Sequence, residues 1–350
     1  MYQDFYGLRE LPFELTSDPR YLYYTAGHTE ALSNLQYGLS GAKAVTVLIG
    51  EAGTGKTTLL HAAIESEPCR NVQCVYVNNP ALTRDEFIQS LARWFGLGSE
   101  AATSKSTLLA ELEGVLRDRM ARGVTTALVV DEAQSLSAPL LEEVRLLANM
   151  ETPTRKLLPL VLAGQPELSA RLNEPGLRQL KQRVALRCEI SPFSVAETAA
   201  YMASRIRTAG GDTSKLFTRE AVMLIHEYSR GIPRMVNVLC DNALLTGMAF
   251  GPPPVSRNIV LEVTRIFDLR RDSTIPHEVA PAPPPLEPRQ DASDAERNCR
   301  PALRPDADDR PPLRLEDLDA QLSDPAMPAP VEPPSAPRAE LFGLFGTARR

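Results

Sequence analysis

The stretch GEAGTGKTT, Gly50 to Thr58, narrows the folds open to this chain more than any other segment. An apolar, β-rich run, AVTVLIG, leads into it, and a helical pattern follows it. A glycine-rich turn between a strand and a helix curls the backbone so that successive N–H groups face one point, close to the positive end of the helix dipole. That nest suits a phosphate. Gly50, Glu51, Ala52, Gly53, Thr54, Gly55, Lys56, Thr57 and Thr58 are therefore expected to form a phosphate-binding loop. Lys56 is expected to reach the β- and γ-phosphates of a nucleotide, and the Thr57 hydroxyl to bind Mg²⁺. The plain alternative is a tight turn.

Two further strand ends carry polar residues. In ALVVDEAQ, Ala127 to Gln134, four apolar residues run into two carboxylates. Open parallel sheets bind ligands at that end of their strands. Asp131 is expected to hold Mg²⁺ through water, and Glu132 to orient and deprotonate an attacking water. Alone the pair reads as a solvated strand end; beside the loop it gains meaning. In LVLAGQPEL, Gln165 would touch the γ-phosphate or the lytic water, or else cap the next turn.

Arginines complete the candidate set. Arg178 and Arg183, in LRQLKQRVALRCEI, precede the last strand. A cation there would lie away from its own nucleotide and complete a neighbour's site, where it neutralises transition-state charge. Arg183 is favoured over Arg178, and a surface charge is the alternative. In SRGIPRMVN, Gly231 breaks one helix and Pro233 suits the first turn of the next, so Arg234 projects from a fixed helix start. If that helical part folds over the nucleotide, Arg234 can donate to the γ-phosphate and link hydrolysis to motion. The alternative is a surface arginine on a well-capped helix.

The organisation follows from periodicity. Strand-like runs alternate with helical ones up to Pro192, which implies a parallel sheet covered on both faces. Four helical segments follow. The divisions read from the sequence are an N-terminal segment over 1–40, an α/β domain over 41–193, an all-helical domain over 194–270 and a proline-rich acidic tail over 271–350. The tail holds 15 acidic residues against 10 arginines, and the remainder 29 acids against 28 bases. A nearly neutral globular part argues against an obligate polyanion binder. The tail buries too little apolar surface to offset its chain entropy and reads as disordered. Its stretches LRLEDLDAQL and ELFGLFGTARR could fold on a partner or serve as spacer. No apolar run approaches the ~18 residues of a membrane helix. The opening MYQDFYGLRE lacks signal-peptide character, so a cytoplasmic, soluble protein is expected. The five cysteines, Cys69, Cys74, Cys188, Cys240 and Cys299, are odd in number and read as reduced thiols.

Taken together, these motifs resemble an AAA+ ATPase. FYGLRELPFELTSDPRYLYYTAGHTEAL, GEAGTGKTT, DEAQSLS, LEEVRLLANMET, LAGQPEL, LRQLKQR and GIPRMVNVLCDNALL narrow the resemblance to the ExeA-type ATPases, also called general secretion pathway protein A, with their pilus and exosortase-locus relatives. It covers about residues 1–269. It implies a P-loop AAA+ domain with a five-stranded parallel sheet, a small helical lid, ATP and Mg²⁺ as ligands, and ATP hydrolysis. By the same resemblance Lys56, Thr57, Asp131 and Glu132 are the nucleotide and hydrolysis residues, Gln165 takes the sensor-1 position, Arg234 the sensor-2 position and Arg183 the arginine finger. LPFELTSDP would wrap toward the adenine; from the residues alone, Pro12 and Phe13 line a base pocket or pack on the core. A homo-oligomer such as a hexameric ring is implied, with a partner from an envelope assembly met through the tail, and a place at the inner membrane through that partner. The alternative is a DNA-linked AAA+ ATPase, a transposition helper or loader. Secretion members look membrane-anchored with a periplasmic wall-binding part, which is not evident here. The shorter pilus or exopolysaccharide-export members are nearer in shape.

Overall fold

The computed structural model describes residues 2–15, 19–41, 43–78, 82–251 and 253–269. The proline-rich tail and Cys299 lie outside the described residues. Five β-rich runs, VQCVYV among them, form strands β1 (Val45–Gly50), β2 (Val72–Val77), β3 (Thr125–Val130), β4 (Leu160–Gly164) and β5 (Val184–Ile190). They make one sheet in the order β2-β3-β4-β1-β5, with every pairing parallel. Because side chains alternate across a strand, β1 sends Val45, Val47 and Ile49 to one face and Leu48 to the other. In β3, Leu128 and Val130 share the first face and Ala127 and Val129 the second.

Helices α4 (Arg84–Phe95), α5 (Lys105–Ala121), α6 (Ala138–Leu147), α7 (Pro166–Leu172) and α8 (Arg178–Lys181) cover the first face. Helices α2 (Ala26–Ser40) and α3 (Lys56–Ile64) cover the second, through Leu35, Leu39, Leu59 and Leu60. Leu35 is fully buried, a burial that contributes about 1.5–3 kcal/mol. Gly38 brings α2 close to the sheet, since a Cβ there would meet the Thr46 side chain. Thr83 opens α4 with a reciprocal capping box to Glu86.

Beyond β5 the chain is helical: α9 (Val195–Thr208), α10 (Thr213–Leu216), α11 (Arg219–Ser229), α12 (Pro233–Phe250) and α13 (Arg257–Ile266). The short α10 adds to the four helices expected from sequence. Met202, Ile206, Ile225, Leu239 and Val260 centre a separate core. The first residues of the chain belong to that core. Tyr2, in α1 (Tyr2–Tyr6), Leu8 and Phe13 are buried within it, and Phe13 meets Phe217 edge to face. Tyr2 donates to Asp241, Tyr6 Oη donates to the Leu244 carbonyl at 3.1 Å, and the Arg9 amide donates to the Ala209 carbonyl at 2.8 Å. The segment before residue 40 therefore touches both parts: residues 2–13 lie on the helices, and α2 lies on the sheet. Among the described residues no helix is long and apolar enough to cross a membrane. Cys69, Cys74, Cys188 and Cys240 are free thiols.

Candidate active site

β1 ends at Gly50, and the chain turns through Gly53 and Gly55, at φ +83° and +96°, before α3 begins at Lys56. Those two positions lie in the left-handed region, which glycine enters without penalty. Lys56 is 4% exposed. Its Nζ donates to the carbonyls of Gly50 at 2.9 Å and Glu51 at 3.0 Å. Burial pushes the ammonium pKa down, while the carboxylates of Glu132, Asp131, Glu51 and Glu167 push it back up. A buried cation bonded only to loop carbonyls is matched by an anion entering the loop.

The ends of β3 and β4 face this loop. Asp131 is 1% exposed. Its Oδ2 accepts from Thr57 Oγ1 at 2.6 Å and Tyr76 Oη at 2.8 Å, and its Oδ1 accepts from the Glu132 amide at 2.9 Å. Burial and then the Asp131 charge hold the Tyr76 phenol protonated, its pKa well above the usual value. Glu132 takes a left-handed backbone, φ 52°. Its Oε2 accepts from Gln134 Nε2 at 2.5 Å and from Gln165 Nε2 at 3.4 Å. The structure thus brings Lys56, Thr57, Asp131, Glu132 and Gln165 to one end of the sheet. A hydroxyl and a carboxylate oxygen meeting at hydrogen-bond distance are hard donors of the kind Mg²⁺ accepts alongside phosphate and water. No cluster of three or more His, Cys, Asp or Glu side chains able to hold a metal occurs among the described residues.

The helical part supplies the opposite wall. A cavity of about 360 Å³ lies between the loop and Glu132 on one side and Tyr21–Tyr24, Phe193, Tyr201, Arg234 and Asn237 on the other. The Arg234 amide donates to the Gly53 carbonyl at 3.3 Å, and a Cβ on Gly53 would stand 2.8 Å from Arg234 Cβ. The start of α12 therefore rests directly on the phosphate loop. Gly231 (φ +71°) makes this possible: a Cβ there would come 2.0 Å from the Phe193 carbonyl oxygen, and its own carbonyl accepts from Phe193 N at 2.8 Å. Arg183 and Arg178 stand elsewhere. Val184 pairs with Val45, so Arg183, just before it, lies at the amino end of the sheet, opposite the loop, while Arg178 opens α8. Arg178 is exposed and Arg183 half-buried; the Lys156 hydrogen bond and charge, with a smaller effect of Arg183, hold the Glu151 carboxyl below its usual pKa.

Several site residues carry no sequence signal of their own. His28 reaches from α2 to the Thr54 carbonyl at 3.2 Å; burial pushes its pKa down, against smaller upward effects of that carbonyl and of Glu197. Arg205 donates to Tyr201 Oη at 2.9 Å, and Tyr201 donates to Asn237 Oδ1 at 2.8 Å. Pro12 and Phe13 pack on the helical core and its Arg205 rather than in the cavity.

Residues 40–172 match the AAA domain family. That match falls on the sheet and the loop just described. Over 275 residues, 78% of its length, the chain is 37% identical to general secretion pathway protein A of Aeromonas hydrophila, of which it spans half the length. The chain is an AAA+ protein of that type. In fold it resembles Cdc6p from Pyrobaculum aerophilum, with a TM-score of 0.55, 18% identity and coverage of 71% of this chain and 70% of that one. It also resembles the ORC2 protein of Aeropyrum pernix in its ADPNP–ADP complexes, with a TM-score of 0.53, 20% identity and coverage of 73% and 71%.

Proposed function

We propose that the chain is a Mg²⁺-dependent ATPase whose helical residues 194–270 act as a lid. The observation that carries this reading is the contact of Arg234 with Gly53, which sets the start of α12 against the loop that would hold the phosphates. Lys56 turns from its two carbonyls to the β- and γ-phosphates. Thr57 and Asp131 would hold Mg²⁺, which when bound offsets phosphate charge. Glu132 orients a water and takes its proton. The water oxygen bonds to the γ-phosphorus, and the bond to the bridging oxygen breaks with its electron pair staying on ADP. Gln165 and Arg234 sense the γ-phosphate. Arg183 serves the site of a neighbouring copy in a homo-oligomer, for which its position at the far end of the sheet is suited.

The similarity to general secretion pathway protein A supports a role in driving or regulating assembly of an envelope secretion, pilus or exopolysaccharide-export system. We place that role in the cytoplasm, at the inner membrane through a partner, with residues 271–350 as the segment that meets it.

Purified protein given ATP and Mg²⁺ should release phosphate, and Lys56→Ala should lose both binding and turnover. ATP binding without turnover at any protein concentration would remove the hydrolase reading. A mixture of Lys56→Ala and Arg183→Ala proteins should regain activity; no regain, with Arg183→Ala alone fully active, would remove the role in trans. A chain ending at residue 270 should keep its ATPase rate and lose its partner.

A further inference from the structure

Gln134 has no part in the roles assigned above, yet its side chain bonds to residues at the ends of two strands. It lies in the turn between β3 and α6. Its Nε2 donates to Glu132 Oε2 at 2.5 Å, and its Oε1 accepts the Gln165 amide at 3.1 Å. Gln165 Nε2 approaches the same Glu132 oxygen at 3.4 Å. One carboxamide thus spans the ends of β3 and β4 and closes a ring of three residues. Its orientation follows from chemistry: a carboxylate only accepts and a backbone N–H only donates, so the flipped amide would lose both bonds.

The surroundings are built for this ring. A Cβ on Gly164 would stand 2.8 Å from Gln134 Oε1, so the bare glycine leaves the space that the carboxamide fills. Arg171, on α7, donates through Nη1 to the carbonyls of Gln134 at 2.7 Å and Leu136 at 2.5 Å and pins the turn. Glu132 sits in a backbone region that side chains enter only at a cost, so something must hold it there. A glutamine that merely capped its own turn would need one local bond. This one makes both of its bonds to residues with proposed parts in hydrolysis.

We propose that Gln134 is a positioning residue for hydrolysis: it holds the Glu132 carboxylate at the loop and ties it to Gln165, so that a shift of Gln165 on meeting a γ-phosphate moves the base. This rests on the reading of Glu132 as the base. Gln134 itself touches no reacting atom.

Gln134→Met keeps the length of the side chain and removes both polar atoms. In the full chain with Mg-ATP its kcat should fall about 10- to 100-fold, the effect of a misplaced catalytic group. KM and the affinity for ADP should stay within about twofold, as expected where only the transition state is affected. Because both glutamines act through one carboxylate, Gln134→Met with Gln165→Ala should lose far less than the product of the single losses. Gln134→Leu, which can neither donate nor accept, should match Gln134→Met and serves if the latter fails to fold. Wild-type kcat in either variant would overturn the proposal, as would a parallel loss of ADP affinity or losses that multiply as for independent sites. Wild-type protein that binds ADP but never turns over ATP would remove the hydrolase reading, and this inference with it.

Discussion

The two walls of the cavity differ in how completely they are bonded. On the sheet side Lys56, Thr57, Asp131, Glu132 and Gln165 already hold one another or the loop. On the helical side Arg205, Tyr201 and Asn237 bond one another, but Arg234 is exposed and its guanidinium has no hydrogen bond or ion pair among the described residues, while its backbone N–H and Cβ rest against Gly53. A wall bonded in advance has little to rearrange when charge develops, which is what electrostatic catalysis needs. An arginine whose guanidinium is left unbonded can respond to a ligand. On the function proposed above, chemistry falls to the first wall and movement to the second.

The sharpest test of that division is Glu132→Gln. It should cut kcat about 100- to 10,000-fold, the range for a lost general base, and leave ADP affinity intact by calorimetry. Lost affinity would blur the two walls. Gly231→Ala forces a side chain into the Phe193 carbonyl at a positive φ. It should destabilise the fold by about 2–4 kcal/mol, as strain of this kind does, in denaturant unfolding. Arg234→Ala removes a charge-assisted donor worth about 1.5–3 kcal/mol and should slow turnover about 10- to 100-fold with little change in ADP binding. An equal loss of binding would make Arg234 part of the fixed wall. Tyr76→Phe deletes one of two hydroxyls on Asp131 Oδ2. Mn²⁺ affinity in the presence of ADP, read by electron paramagnetic resonance, should fall about tenfold, as for other residues that orient a metal ligand.

The smallest effect is with pH. Burial keeps the pKa of His28 and His226 below the ordinary histidine value of about 6.5. As pH falls through 6.5 the unfolded chain takes up protons before the folded one, so their contribution is complete above that value and is lost between it and the depressed folded value. Thermal midpoints should drop over that window, and less so in His28→Gln.

Much of this was legible in the sequence, for a physical reason. β-Branched runs such as Val45–Ile49 pair only as strands, and the loop residues must be consecutive to surround a phosphate. All five strands were identified that way, as was the parallel sheet. What escaped notice depends on contacts between distant residues. Gln134 reads as an ordinary turn residue until β4 lies beside β3. Tyr76 looks like any strand aromatic until its register with Val129 puts its hydroxyl at Asp131. His28 meets the loop from 26 positions earlier. The opening residues look like a lead into the sheet, yet their tyrosines belong to the helices.

That last placement has a mechanical consequence. Once the Arg234–Gly53 contact opens, the helical bundle stays joined to the sheet at two further points, the Phe193–Gly231 contact and the chain's own beginning, which passes from the bundle to α2. A body held at two points turns about the line between them. The same beginning carries Tyr21–Tyr24, so any such rotation would carry the aromatic rim of the cavity along with Arg234. Cutting the first thirteen residues would leave a single pivot, and the wobble of the bundle would then no longer follow one axle.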